Sequence, residues 1–479
     1  CSAMDGAAQA LQGCIHGRLH NSPCNLSARC LPSPFYRWVF MYDPLVNAPP
    51  GPHDAPEPSY WQQHTQADFP ECVNAPEEVG FAVIGAGYTG LNAARVLAEN
   101  GHSVAVFEAN QLAWGCSSRN AGFVMKSTGR LGLSAWAERL GADIAQDIAD
   151  EHQKALQLVE ETLRYCPSQC QRQNGGYLKI AHRNSAVAPL KQQYEQLKKF
   201  NQPVEWLTQN QLSGLISSPQ AHAALRFTDC FALNPILLAA ATARRASAAG
   251  AQLVEHCPVT QAVSLGGKGV YLQTAKGAVR ARKLLVCSNG YTSGHLLPEI
   301  ASRSLPVLSS IITTPPLSKE QVESIKLSPQ YAIMDTRILK YYFRLLPDNR
   351  LLFGGRGAIQ GKSAEKPIYA KRLLQALHQT FPQLREVNKW EYFWSGWVSV
   401  SLDDYPRVGK VKDNIYASMG YCGAGVSFTA LAGQRLAEAA MEQPLPELPY
   451  YQSQLKPFPL PRFRRLGQWL YYHYGRLRD

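Results

Sequence analysis

Six positions with little polarity, Val79 to Ile84, run without interruption up to Gly85. A run this short, bounded by glycine, predicts a strand buried on both faces of a parallel sheet. After GAGYTG comes LNAARVLAENG, where Leu91, Ala94, Val96, Leu97 and Ala98 recur at helical spacing and Gly101 supplies a C-cap. HSVAVFE then reads as a second strand, ending at Glu108. The unit is strand, turn, helix, strand, which implies two parallel strands joined by a right-handed crossover.

Downstream the period changes repeatedly. Residues 131–165 are helical, with Ile144, Ile148, Leu156, Val159 and Leu163 on one stripe. GGYLKIAH at 175–182 reads as a strand after a glycine turn, and Pro235 opens a helix through Ala249 that is followed by the strand QLVEHCPV. VYLQTAKGAVRARKLLVCSNG predicts a hairpin and a buried strand, Leu284–Cys287. From 305 to 356 strands alternate with turns, one at Asp348–Asn349, and 426–441 form a final helix. With α/β pattern at both ends and antiparallel pattern between, the expected fold is α/β (α+β overall). A Rossmann-type nucleotide-binding domain is expected from 79–130, 232–303 and 395–445, with an antiparallel-sheet substrate domain inserted at 131–231 and 304–394. Residues 41–78 are expected as a Pro-rich arm, extended over 42–58, and 446–479 as a basic aromatic tail. Residues 1–40 show neither period and precede Met41, so they are expected to be a non-native or disordered leader.

Composition narrows the class. Apolar residues make up 45% and charged residues 18%, both globular values. No apolar stretch reaches the roughly 20 residues that span a bilayer, so a soluble, cytoplasmic protein is expected. The net charge of +12 is dispersed apart from the tail, which argues against a nucleic-acid groove. The 12 cysteines include one CxxxC pair, Cys166 and Cys170, with no partner set to complete a metal site. Free thiols and no metal are expected.

The chemistry begins at Gly85, Gly87 and Gly90, a GxGxxG between a strand and a helix. The first glycine permits the tight turn, the second lets backbone approach a diphosphate, and the third lets helix and strand pack closely. The helix N-terminus offers unpaired N–H groups to the phosphates. Glu108 can accept both hydroxyls of an adenosine ribose and would repel a 2′-phosphate. These features fit FAD or NAD equally.

ANQLAWGCSSRNAGF follows Glu108, and here the chain resembles the FAD-dependent amine and amino-acid oxidoreductases of the D-amino-acid oxidase superfamily. GCSSRNAGF is similar to the GASGRNGGQ-type segment of gamma-glutamylputrescine oxidase-like proteins. DTRILKYYFRLLPDNRLLFGGRG, WSGWVSVSLDDYPRVG and GYCGAGVSFTALAGQRLAE extend the resemblance over roughly 59–445. It implies FAD, with Ser117, Ser118 and Arg119 facing the phosphates. It also implies that Gly423, Gly425 and Val426 open a helix aimed at the flavin pyrimidine ring, where a helix dipole stabilises reduced flavin. Tyr88, Thr89, Asn120 and Val259 complete the expected cofactor set. Sarcosine oxidase-like members tether flavin through a cysteine near the position of Gly396. No cysteine lies between Cys287 and Cys422, so FAD is expected to be non-covalent. Cys116, where a small residue is usual, is expected to pack as one.

Hydride removal from an amine needs binding and orientation more than a strong base. Tyr342 and Arg344 share a strand face. Arg344 is a candidate for a bidentate grip on a substrate carboxylate or for an interdomain ion pair. Tyr342 and Trp394 can wall the amine or fill the core, and Lys126 is a further candidate for the carboxylate. LDDYPRVG is read as a turn fixing a strand beside the flavin. The expected substrate is a primary or secondary amine: a γ-glutamylated diamine, an imino acid or an amino acid. The expected electron acceptor is O2, with a quinone-linked dehydrogenase as the alternative. A third reading, a nucleic-acid- or membrane-binding protein on the flavin scaffold, is weakened by the confinement of clustered charge to the tail. For that tail two readings stand. One is an amphipathic segment resting on an anionic membrane. The favoured one is an arm docked on protein with aromatics buried and arginines solvated.

Overall fold

The structure, a computed structural model, describes residues 42–47, 58–127 and 130–479. All belong to one compact unit, Val39–Asp479. The leader 1–40 and residues 48–57 of the Pro-rich arm lie outside the described residues. Residues 42–47 form a turn rather than an extended strand, and Tyr60–His64 is a short helix with a Ser59–Gln62 capping box.

Strand β1 (Glu78–Ile84) enters helix α1 (Tyr88–Glu99) and returns as β2 (Val104–Phe107). Next come α2 (Ala142–Leu163), β3 (Gly176–Ile180), β4 (Val204–Leu207), β5 (Ala224–Phe227), α3 (Pro235–Ala248), β6 (Gln252–Val254) and β7 (Gly277–Val286). The chain continues through β8 (Leu305–Thr313), β9 (Tyr331–Asp335), β10 (Tyr342–Leu345), β11 (Leu351–Arg356) and β12 (Tyr392–Val400). It closes with β13 (Arg407–Lys412), β14 (Ile415–Met419), α4 (Phe428–Ala440) and α5 (Arg464–Arg478).

The first sheet has the order β13-β14-β7-β1-β2-β6. Of the five pairings in this order four are parallel, all but β13–β14, and β1 lies between β7 and β2 with Ile84 opposite both Val286 and Phe107. One core joins Val83 and Val106 of this sheet to Leu91 and Leu97 of α1 and Leu431 and Leu436 of α4. Helices on a parallel sheet bury its alternate side chains, which is why β1 carries no charge after Glu78. The second sheet has the order β12-β8-β11-β10-β9-β3-β5-β4, antiparallel except where β9 runs parallel to β3. Among the described residues no helix is long and apolar enough to cross a membrane.

Three sequence expectations need correction. The helical stretch 131–165 is two helices, Leu133–Leu140 and α2, broken at Gly141 with φ +94°. Their buried residues Trp136, Ala145 and Ile148 join the core of the first sheet, not that of the second. The boundary placed at 395 falls inside β12, which pairs along its whole length with β8 in the second sheet. The tail does dock, with Tyr472 buried and Arg462, Arg476 and Arg478 exposed, but two of its arginines turn inward and most of its apolar side chains turn outward. Arg464 and Arg465 donate inward to the carbonyls of Ser304 and Pro306, and Arg465 pairs with Asp43 at 2.9 Å. Leu466, Leu470, Tyr474 and Leu477 face solvent.

Candidate active site

The turn after β1 requires glycine at two points. Gly85 has φ +100°, in the left-handed region. A Cβ on Gly90 would stand 2.0 Å from the Gly85 carbonyl oxygen, so α1 could not approach β1 as it does. The Tyr88 N–H, at the start of α1, donates to Ser117 Oγ at 3.1 Å, joining the cradle to the Gly115–Asn120 loop. The Tyr88 hydroxyl donates to the Pro235 carbonyl at 2.7 Å and pins the same corner to α3. Glu108 is buried at the end of β2. Its Oε2 accepts the Ala86 N–H at 2.9 Å and its Oε1 the Asn110 N–H at 3.1 Å. Burial pushes its pKa up, and the N–H donors oppose this.

Gly85, Gly87, Tyr88, Thr89, Glu108, Ser117, Asn120, Val259, Gly423, Gly425 and Val426 line one cavity. A helix N-terminus, backbone-rich walls and a fixed carboxylate at the far edge form the donor set that a dinucleotide needs. FAD therefore fits the residues present. Three expected contacts are placed elsewhere. Gly90 serves packing. Ser118 turns its hydroxyl to the Trp114 carbonyl at 3.4 Å. Arg119 is buried, donates to the carbonyls of Trp114 and Ser395, and lines a second cavity, so it does not face phosphates. Trp114, Ser288, Tyr291 and Thr429 line the first cavity without having been singled out. Trp114, Ser288 and Tyr291 stand on connections and Thr429 in the first turn of α4, and only the folded chain brings them together.

The second cavity abuts the first. Cys116, Asn120, Val398, Gly423 and Val426 line both. Cys116 donates its thiol to the Trp397 carbonyl at 2.5 Å, and burial pushes its pKa up to about 11, keeping it protonated. Tyr342 lines the second cavity, and its hydroxyl lies 2.8 Å from Ser309 Oγ. Lys126 also lines it, but its ammonium is held by Asp229 at 2.6 Å and by Gln153 at 3.2 Å. His152, on the same wall, is kept neutral because burial lowers its pKa to about 4.

Arg344 and Trp394 line neither cavity. Arg344 is 2% exposed, donates to Gln173 Oε1 at 3.1 Å and to the Leu233 carbonyl at 2.7 Å, and lies over the Trp61 ring. It clamps β10 to the Gln173 side chain and the Leu233 backbone, and among the described residues it forms no ion pair with a carboxylate. Trp394 fills core and donates its indole N–H to the Arg119 carbonyl at 2.8 Å. The cations that do line the cavity, and that the motif reading missed, are Lys179, Lys340, Arg356 and Arg130. In LDDYPRVG, Asp403 and Arg407 form an ion pair at 2.7 Å at the entry to β13.

The chain belongs to the DAO family of FAD-dependent oxidoreductases, whose signature matches residues 81–439. It is an FAD-dependent oxidoreductase with amine and amino-acid oxidase neighbours. It is 34% identical to the gamma-glutamylputrescine oxidoreductase of Escherichia coli K12 over 358 residues, 74% of this chain and 82% of that one. Among solved structures, glycine oxidase from Geobacillus kaustophilus superimposes with a TM-score of 0.66 at 20% identity, covering 79% of this chain and 99% of that one. L-proline dehydrogenase from P. horikoshii gives 0.65 at 18% identity, covering 78% and 96%. These two likenesses concern the fold alone.

Proposed function

We propose that this protein oxidises a primary or secondary amine, with a γ-glutamylated diamine ahead of an imino acid or a simple amino acid, and that O2 takes the electrons. The carrying observation is the meeting of the two cavities at Cys116, Val398 and Gly423. FAD held in the first cavity would supply the two-electron oxidant for the amine C–H bond, the resulting imine would hydrolyse to a carbonyl product, and the reduced cofactor would pass both electrons to O2, giving H2O2. The protein's part is to orient. Tyr342 and Ser309 bring hydroxyls to the second cavity from strands of the sheet, and Ala424 and Val426 line the same cavity. The amine must arrive neutral, and the surrounding positive charge favours that form.

A cytoplasmic setting is part of this reading, supported by the free state of the eight described cysteines. The test is anaerobic bleaching of the yellow holoenzyme by an amine panel, followed by peroxide measurement in air. Bleaching by γ-glutamylputrescine with stoichiometric peroxide is expected. Turnover with an artificial quinone but no peroxide would replace the oxidase by a dehydrogenase. A panel in which no amine bleaches the flavin would overturn the reading.

A further inference from the structure

One face of the second sheet floors the substrate cavity, and its register orders the side chains. Gly354, Tyr342, Met334 and Lys179 stand directly opposite one another across β11, β10, β9 and β3. Opposed residues of a ladder present the same face, so Tyr342, Met334 and Lys179 form a row on the cavity floor. Ser309 and Arg356, opposite each other on β8 and β11, lie beside Tyr342 at the flavin end. Two strand spacings separate Tyr342 from Lys179, about 10 Å.

The far end of this row carries more positive than negative charge: Lys179, Lys340 and Arg130 stand against Asp404, whose charge acts on both Arg130 and Lys340. Lys340 reaches the cavity from the connection between β9 and β10, and Arg130 lines its edge. The carboxylates nearby are engaged. Asp335 is paired with Arg337, Asp229 with Lys126, and Asp404 lies 3.8 Å from Arg130. Lys179 donates to the neutral Gln193 at 2.7 Å. Among the described residues, neither Lys340 nor Arg356 has a hydrogen-bond or ion-pair partner for its side chain. Burying like charges together costs several kcal/mol unless an anion joins them.

We infer that Lys179 and Lys340 form an anion subsite, roughly 10 Å from the flavin end, for a carboxylate at the far end of the amine substrate. The inference rests on the reading of the chain as an amine oxidoreductase and adds the substrate's length and charge. An α-amino or imino acid carries its carboxylate one bond from the oxidised carbon and cannot reach Lys179. A diamine acylated by the γ-carboxyl of glutamate carries its α-carboxylate about nine bonds away, about 10 Å when extended. Burial, the leading effect on both lysines, lowers each pKa to about 8. For Lys340 the charges of Lys179, Arg130 and Arg356 add to this, and Asp335 opposes them. A bound carboxylate would favour the charged form of both and raise their pKa values again.

The experiment compares γ-glutamylputrescine with N-acetylputrescine, which keeps the amine and the amide but lacks the carboxylate. It uses holoenzyme of the wild type, Lys340→Gln, Lys179→Gln and Lys340→Arg. The wild type should prefer the glutamyl substrate in kcat/KM. Each Gln variant should reduce that preference roughly ten- to hundred-fold, mostly through KM, as expected for loss of a charged hydrogen-bond partner. Lys340→Arg should retain most of it. Calorimetric titration with glutarate gives a second readout without turnover: binding to the wild type and its loss in Lys340→Gln are expected. Equal use of both substrates by the wild type, or a ratio unchanged by the Gln variants, would overturn the subsite while leaving amine oxidation intact. If no amine bleaches the flavin, the functional reading fails, and glutarate bound equally by wild type and variant would remove the subsite as well.

Discussion

Arg344 and Arg356 both stand on strands of the second sheet, but only Arg344 was singled out from the sequence, and alternation alone cannot say which of the two reaches a cavity. Arg344 shares a strand face with Tyr342, yet its guanidinium ends on Gln173 and the Leu233 carbonyl, residues 171 and 111 positions away. Such long-range partners leave no trace in a local pattern. Arg344→Lys should therefore lose two buried hydrogen bonds and about 1–3 kcal/mol of stability. It should leave the KM of a carboxylate-bearing substrate within about two-fold of wild type, because Arg344 lines no cavity. Thermal unfolding and steady-state kinetics on the same preparation check both halves. The lysines of the far subsite give a second residue-scale expectation. Their pKa values of about 8 mean that the free enzyme loses these charges as pH rises through 8. The anion needs the charged forms, so KM for γ-glutamylputrescine should climb between pH 8 and about 9.5 relative to KM for N-acetylputrescine. Taking the ratio removes the shared titration of the substrate amine. A flat ratio across that range would mean that neither lysine holds the carboxylate.

At the scale of elements, α5 shows how a correct pattern can be assigned the wrong face. Phe463, Leu466, Leu470 and Tyr474 do recur at helical spacing, but this stripe points outward. The docked face is Gln468, Tyr472 and Gly475, with Tyr472 packed on Leu305 and Val307. Gly475 is there because a Cβ would meet Leu339 at 2.7 Å. Asp479 accepts the backbone N–H groups of Ile338 and Leu339 at 2.8 and 2.9 Å, and these residues immediately precede Lys340. The tail thus holds the segment that carries one subsite lysine. Removing 464–479 should lower Tm and raise KM for the carboxylate-bearing substrate more than it lowers kcat. Tyr472→Ala should cost about 3 kcal/mol, whereas Leu470→Ser should stay within about 0.5 kcal/mol. Equal effects of these two substitutions would mean that the helix docks by its other side. The β1-α1-β2 unit was legible throughout because its signals are local: an apolar run, three glycines, a helical stripe and an acid lie within 30 residues, 79–108.

At the scale of the whole molecule, the second sheet explains why the substrate side was harder to read. Its strand β3 pairs with β9, Gly176 opposite Tyr331, and β8 pairs with β12, Leu305 opposite Val400. A sheet assembled from such distant segments sets its row of floor residues by register, which periodicity does not encode. The first sheet has the same dependence in one respect: β7 pairs with β1, and β14 with β7, across long stretches of intervening chain. The dinucleotide cavity gathers residues from Gly85 to Thr429, so it spans all these segments and exists only when they are assembled. FAD bound there stabilises the native state alone, by about 4 kcal/mol at a concentration a thousandfold above Kd. Protein stripped of FAD should therefore unfold several degrees lower and recover when FAD is added. NAD should give no recovery. The flavin should also leave with the acid supernatant, because Cys116, the thiol at the junction of the two cavities, is held protonated against the Trp397 carbonyl. Flavin retained in the precipitate would show a covalent bond, with Cys116 and Cys422 of the second cavity wall as its first candidates. An unchanged Tm on removal of FAD would mean that the first cavity does not hold the cofactor.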